Sequence, residues 1–363
     1  MQPVTEPSAV AFSSSFSTVR NGALALVAAA AVLAALSSCD LPFDLGQPTT
    51  RALENGASDG LATAQSFEIV GSYTGPGAVL PAASGARTSS PPPATTWTID
   101  LQIVHPDTEH MVVSADNVKL EAIILSSGAY FRGHDFLAQH MGSDPLSQNL
   151  VKAAGSSWWK GSSSIVPQLP DFTGGISFRN TFLGTAVTQR TDHAAVDGKD
   201  AVELSGPRAD VYIAADSPYR VLRVHLKNGV VIDGISAADL RYSNFDKDFG
   251  IVAPTDVIDF SNLSTLTPIY TVLSVDTSGC GSTCVVSASL KNIGGMRPAK
   301  GPSTITFTMT DAATGHVLGS CQAQVRPDVG YNSTTGVSCT IGGVSGAPNA
   351  AIVTATADNP GQA

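Results

Sequence analysis

The sequence predicts a mainly β protein in two parts, and three observations carry that expectation. Trp97, Ile99, Leu101 and Ile103 alternate with Thr98, Asp100 and Gln102. A period of two over this length is a strand with one buried face. A second series of short alternating segments occupies the last ninety or so residues of the chain. Composition agrees: charged residues make up only 14% of the chain and glycine alone accounts for 34 positions, a balance that with many Ala, Ser and Thr suits an extracellular β protein.

From the start of the chain, Arg20 precedes an uncharged apolar run, Ala23 to Leu36. That run is shorter than the roughly 20 residues a membrane helix needs and has the length of a signal-peptide core. It ends in Leu36-Ser37-Ser38-Cys39, an aliphatic residue, two small residues and a cysteine, which resembles the bacterial lipobox. The resemblance implies diacylglyceryl attachment to Cys39 and cleavage before it. The alternatives are a plain secretory signal or an N-terminal membrane helix with a chance cysteine. No other segment approaches a transmembrane run. Residues 1–38 are therefore expected to be a lipoprotein signal peptide, and 39–60 the lipidated cysteine with its tether. A helix is expected over about 51–65.

The β portion begins at Phe67-Glu-Ile69-Val-Gly-Ser-Tyr73, followed by a Gly/Ser/Pro-rich loop to Pro93. Further strands are expected over 110–114, 118–125, 128–132 and 209–214. Leu222, Val224 and Leu226 alternate with Arg223, His225 and Lys227 and run into Asn228-Gly229, a strong two-residue hairpin signal. The return strand is expected from Val230 to Ile232. The irregular stretch 135–182 reads as one or two short helices with loops, packed across one face of the sheet. Of the adjacent pair Trp158-Trp159, one is expected in the core and one at its edge, because neighbouring strand residues face opposite ways.

A boundary is expected near 268–274, giving a first domain over 61–272 and a β-sandwich over 273–359. In the second part Val286, Ala288 and Leu290, then Ile305, Phe307 and Met309, then Val353, Ala355 and Ala357 fall on one face of their segments. The turn Asn292-Ile-Gly294-Gly295 loosely resembles those of immunoglobulin-like modules in bacterial surface proteins.

The chain has five cysteines. With Cys39 lipidated, Cys280, Cys284, Cys321 and Cys339 form an even set that allows three pairings. The local ones, Cys280–Cys284 and Cys321–Cys339, are favoured over a metal site, since the first spacing is not C-x-x-C. The seven histidines are scattered; His134, Asp135 and His140 come nearest to a cluster, but without helical ligand spacing. No nucleophile elbow, phosphate loop or dinucleotide fingerprint is present. Neither a cofactor nor an enzymatic activity is expected. The net charge of −10 argues against nucleic acid as a partner.

Residues from about Leu61 to Tyr270 resemble the actinobacterial lipoproteins typified by LppX and LprG, relatives of the carriers LolA and LolB. The features that carry this are the lipobox, Phe67-Glu-Ile-Val-Gly-Ser-Tyr73 after a helix, Gly128-Ala-Tyr-Phe-Arg-Gly133, Ser157-Trp-Trp-Lys160 and the run from Ala209 to Val224. The resemblance implies a curved antiparallel half-barrel whose concave face is closed by a few helices over an apolar space for acyl chains. Its ligand-lining residues would include Trp97, Ile99, Leu101, Ile103, Val118, Leu120, Ile124, Leu222 and Val224. The same stripes would equally fill an ordinary core. The long Pro-rich loop and the C-terminal sandwich depart from the family pattern.

The expected function is that of an extracytoplasmic lipoprotein, held at the membrane by its lipid anchor, which binds acyl lipid or lipoglycan and carries or presents it. The alternative is a surface interaction lipoprotein whose sandwich docks an envelope protein. A secreted enzyme with an unrecognised carboxylate pair is a third, less supported reading.

Overall fold

The computed structural model describes residues 47–75, 78, 95–281, 283–342 and 351–362. The apolar run from Ala23, the lipobox and Cys39 lie outside the described residues.

Two antiparallel meanders meet to form one large sheet. The first comprises β1 (Ser66–Gly75), β2 (Thr95–Val104), β3 (Thr108–Ala115), β4 (Val118–Leu125) and β5 (Gly128–Arg132), extended by β6 (Trp158–Gly161). The second comprises β7 (Gln189–Val196), β8 (Lys199–Ser205), β9 (Ala209–Ala214) and β10 (Val221–Leu226), then β11 (Val231–Ile232) and β12 (Ile235–Ser243). β12 pairs antiparallel with β1 and so joins the two halves. A short β13 (Val257–Ile258) adds parallel to β6 at one edge. The resulting curved sheet has 13 strands and is not closed, with β13 and β7 at its two ends.

Asn228-Gly229 turns the chain as expected, but the return strand does not follow directly. Val231 and Ile232 pair with Ser236 and Ile235 of β12, and the edge of β10 is taken by β12. The physical reason is length. β12 offers nine residues with Ile235, Leu240 and Tyr242 on the apolar side, whereas β11 offers two. Asp233 and Gly234, both with positive φ (50° and 79°), form the effective turn.

One face of the sheet is apolar and covered by helices. α1 (Thr50–Thr63) is capped by the Thr49 side chain and buries Leu53, Ala57 and Leu61. The part of 39–60 from Thr50 onward is thus not tether but a core helix, because its apolar side matches the sheet. The segment 135–182 holds more structure than expected: α2 (His134–His140), α3 (Pro145–Ala154), α4 (Pro170–Thr173) and α5 (Gly175–Phe182), besides β6. α1 and α5 touch so closely that Ser58 Oγ donates to Gly175 O at 2.9 Å. A Cβ on Gly175 would lie 2.3 Å from the Ser58 carbonyl oxygen, so only glycine allows this approach.

A second core begins at Tyr270. β14 (Tyr270–Cys280), β15 (Cys284–Asn292) and β18 (Thr334–Ile341) form one sheet; β17 (Val317–Gln324), β16 (Thr304–Asp311) and β19 (Ala351–Asp358) form the other. The alternating residues singled out in the sequence face inward, with Leu290, Ile305 and Phe307 fully buried. Both local disulfides are present. Cys280–Cys284 spans the β14–β15 turn, and Cys321–Cys339 ties β17 to β18 and therefore one sheet to the other.

The two cores belong to one compact unit from Pro48 onward. Asn292 is fully buried at the junction. Its Oδ1 accepts from Ile269 N (3.0 Å) and Gly294 N (2.9 Å), and its Nδ2 donates to Gly295 O (3.1 Å) and Val329 O (2.7 Å). The end of β19 and the tail beyond it then return to the first core. Lys152 of α3 pairs with Asp358 at 3.1 Å, Gln362 N donates to Lys152 O at 3.4 Å, and Ser157 Oγ donates to Gln362 Oε1.

Cys321 and Cys339 are separated by 18 positions, and cross-linking a loop of that size restricts the unfolded chain by about 3 kcal/mol. The double variant Cys321→Ala/Cys339→Ala should lower unfolding stability by about that amount in urea titrations. An unchanged midpoint and slope would show that the sandwich does not depend on this clamp.

Candidate functional site

The covered face of the large sheet is the candidate site, because it gathers the chain's apolar stripes beneath a cover of short helices. Trp97, Ile99, Leu101 and Ile103 of β2, Val118 and Leu120 of β4 and Val224 of β10 are all buried in a single continuous core. Ile124 packs against that core while remaining partly exposed. Leu222 departs from the expectation. The β9–β10 pairing shifts register between Val221 and Arg223, and a bulge of this kind turns one residue to the other face. Val221 therefore points into the main core, while Leu222 joins Val196 and Ala201 in a small separate cluster. No period-two count reveals such a shift.

Side chains of the helices occupy the space above the sheet. Phe136 and Leu137 come from α2, Phe172 from α4, and Phe178 and Phe182 from α5. Phe172 and Phe178 each pack at a tilt against Phe182, with ring centroids 5.2 Å and 5.1 Å apart. The polar ties that hold this cover are few. Tyr242 Oη donates to Phe172 O at 3.0 Å, Asp171 N donates to Asp233 Oδ2 at 2.8 Å, and Gly184 N donates to the buried Glu54 Oε1 at 3.0 Å.

Polar atoms within the covered face are rarer still, and three of them are unspent. Tyr73 Oη, Trp97 Nε1 and Trp159 Nε1 are buried with no hydrogen-bond partner among the described residues. Tyr242, by contrast, has its partner. Leaving a buried donor unpaired costs about 1–3 kcal/mol. Burial also pushes the Tyr73 hydroxyl's pKa up, keeping it a neutral donor. Sequence reasoning placed Trp97 on this face, but treated Tyr73 only as the end of a strand. The available signal was an aromatic with a polar tip on an otherwise aliphatic face. Trp159 is the buried member of its pair and lies 4.9 Å from Phe131. Trp158 sits at the edge beneath the Arg132 guanidinium at 4.7 Å, as the alternation requires.

The opposite face of the sheet is polar and carries a row of hydrogen-bonded side chains, beside which Asp100 Oδ1 is left without a partner among the described residues. Glu68 accepts from Ser243 (3.1 Å), Asn244 (2.5 Å) and Gln102 (3.2 Å). His110 bridges Gln102 Oε1 at 3.3 Å and Glu121 Oε1 at 3.0 Å, and Arg132 Nε donates to Glu121 Oε2 at 3.1 Å. Burial alone would raise the Glu121 pKa, but the hydrogen bonds from Arg132 and His110 outweigh it and hold the carboxyl below its usual range. Asp100, close by, moves the other way through burial and the charge of Glu68.

No group of three or more His, Cys, Asp or Glu side chains is gathered for a metal among the described residues. His140 instead caps its own helix, its Nδ1 lying 2.8 Å from Phe136 O. Outside the sheet, a hollow of about 440 Å³ lies between α2 and α3, lined by Ala138, Gln139, Gln148 and Val151 among others. No helix among the described residues is long and apolar enough to cross a membrane.

No protein-family model matches the sequence, and comparison with curated proteins finds no match. Among solved structures, MucB in complex with MucA(peri) aligns with a TM-score of 0.24 and 12% identity, covering 80% of this chain and 93% of that one. MucB alone aligns with a TM-score of 0.23 and 10% identity, covering 86% and 93%. Likenesses at this level leave the function to be read from the chain's own geometry.

The depressed Glu121 pKa fixes the sign of a pH effect. A carboxylate whose folded-state pKa lies below its unfolded value stabilises the fold above the unfolded value and loses that contribution as pH falls through the folded one. The stability difference between the wild type and Glu121→Gln should therefore be largest at neutral pH and shrink on acidification below the ordinary glutamate range. A difference that does not change from pH 7 to pH 3 would show that the Arg132 and His110 contacts do not act on this ionisation.

Proposed function

We propose that the chain is a non-enzymatic binding lipoprotein of the cell envelope, anchored at the extracytoplasmic face through Cys39, which takes up acyl lipid beneath the helical cover of its curved sheet. The observation that supports this most is the covered face itself. It is aliphatic and aromatic across most of the sheet, yet it holds three donors with no partner, an arrangement that a plain core avoids.

The energetics require no catalytic group. Moving a sixteen-carbon chain out of water is worth up to about 12 kcal/mol at ~0.8 kcal/mol per methylene. A membrane offers the chain nearly the same environment, so transfer between membrane and protein is close to balanced. The cover then sets the rate. Its short helices are held by Phe172, Phe178 and Phe182 and by a handful of hydrogen bonds, and these are the contacts that an entering chain would replace with equivalent apolar ones. The anchor serves the same end by keeping the protein where lipid is collected; one acyl chain holds only marginally, whereas two or three hold firmly.

A second reading is favoured by the same phenylalanines: because the chain's own side chains already fill the covered face, that face can serve as a plain core, leaving the disulfide-clamped sandwich to dock an envelope protein. Native mass spectrometry of a secreted form starting at Asp40, purified without detergent and then extracted with solvent, separates the two. A discrete added mass released as acyl lipid is the expected result. A bare mass that persists after incubation with lipid vesicles would eliminate the lipid reading in favour of the docking one.

The anchor has its own test. Cys39→Ser should release the protein from the membrane fraction into the soluble extracytoplasmic fraction and remove the acyl mass from its N-terminus. Unchanged fractionation would mean that the membrane holds the protein by another route.

A further inference from the structure

Two of the three unspent donors are neighbours. Tyr73 on β1 stands directly opposite Trp97 on β2, and directly opposed side chains of an antiparallel pair have Cβ atoms about 5 Å apart. Both belong to the main core; Tyr73 is fully buried and Trp97 is 8% exposed. The pair sits two rungs from the end of the β1–β2 ladder, which closes at Gly75 and Thr95, so it lies near one rim of the covered face.

The strand neighbours of these rings are small. Across from Tyr73 the β1–β12 pairing is irregular: Ser72 pairs with Asp239 and Thr74 with Ser236, so Ala237 and Ala238 together oppose Tyr73. Ala237 adopts a left-handed φ of 46°, and Ala238 is the inward one of the two, fully buried. Bulges commonly re-aim side chains next to binding sites. On the other side, beyond Trp97, the buried residue at the end of β3 is Ala115. Two hydrogen-bonding rings between alanines make a polar spot at the head of an apolar stripe, since Ile99, Leu101 and Ile103 continue along β2 from Trp97.

The available chemistry narrows the ligand. The indole N–H only donates, and the phenol, kept neutral by burial, donates as well. Among the described residues no lysine or arginine is buried, so none of them compensates a carboxylate's charge at this depth, and a buried unpaired charge is far costlier than a neutral carbonyl. We propose that Tyr73 and Trp97 form a receptor for the ester carbonyl at the head of an acyl chain whose methylenes run along Ile99, Leu101 and Ile103. This deepens the acyl-lipid reading above and rests on it.

The test displaces a fluorescent acyl probe from the exported, detergent-free protein with three competitors delivered from cyclodextrin: a sixteen-carbon methyl ester, the free acid and the alkane of equal length. The wild type should prefer the ester over the alkane by about tenfold, the worth of a buried hydrogen bond gained. Tyr73→Phe/Trp97→Phe should bind the alkane as before and lose that preference. Without ligand, Tyr73→Phe should melt at the same temperature as the wild type or higher, because an unpaired hydroxyl is removed. A lower melting temperature would mean that the hydroxyl has a partner such as a buried water, and would overturn the assignment. Preference for the free acid over the ester would overturn the neutral-carbonyl assignment. An ester preference that survives in the double variant would overturn the site while leaving lipid uptake standing, whereas failure of every competitor and of the probe to bind would remove both.

Discussion

An open sheet with one apolar face cannot stand uncovered in water, and the rest of this structure answers to that constraint. A barrel would close the sheet on itself; here β7 and β13 remain apart, so the cover must come from elsewhere in the chain. It comes from α1 before the sheet and from the four helices inserted between the two meanders. Because these helices are short, propensity alone does not hold them. They persist by placing Phe136, Phe172, Phe178 and Phe182 against the strands. The cover and the sheet are therefore each other's condition for folding, yet they are joined mostly by non-directional contacts that an acyl chain reproduces.

The other face solves the opposite problem. It meets water, and its side chains form a hydrogen-bonded row from Ser243 through Glu68, Gln102, His110 and Glu121 to Arg132, crossing six strands. Such a row braces neighbouring strands from the side opposite the cover, so directional polar ties and apolar packing are assigned to different sides of one sheet. The exposed edge at β7 is similarly defended: Arg190 and Asp192 form an ion pair at 2.6 Å on that strand, and charges on an edge discourage pairing with another chain.

Much of this was legible in the sequence because strands with one buried face write their geometry into alternation. β2, β4 and β5, the β15, β16 and β19 stripes and both local disulfides all follow from period and spacing. What the sequence withheld has physical causes. β7 is largely exposed at the sheet's edge, and β8 buries only Ala201, Val202 and Leu204, two of them adjacent, so Gln189 to Ser205 shows no long alternation. Leu222 escaped because a register shift turned it outward, and the Val230–Ile232 return strand was displaced by the longer β12. In the candidate site, Trp97 was found because it opens an alternating run. Tyr73 was not, since its significance lies in a missing hydrogen bond, which only three-dimensional packing reveals. The extra helices in 135–182 are each too short to display a helical period.

The return of the tail onto α3 bears on the order in which the protein is made. Lys152 and Ser157 lie at the end of the first helical pair of the cover, and their partners Asp358 and Gln362 come later in the chain than almost every other residue of the fold. Domains generally fold in the order in which they emerge. The curved sheet and its helices can thus assemble during synthesis, whereas the ties of Lys152 and Ser157 to Asp358 and Gln362 form only once the sandwich has delivered its last residues. Until then the end of α3 is held by apolar packing without these polar ties, so the last residues of the fold complete an element made some two hundred positions earlier.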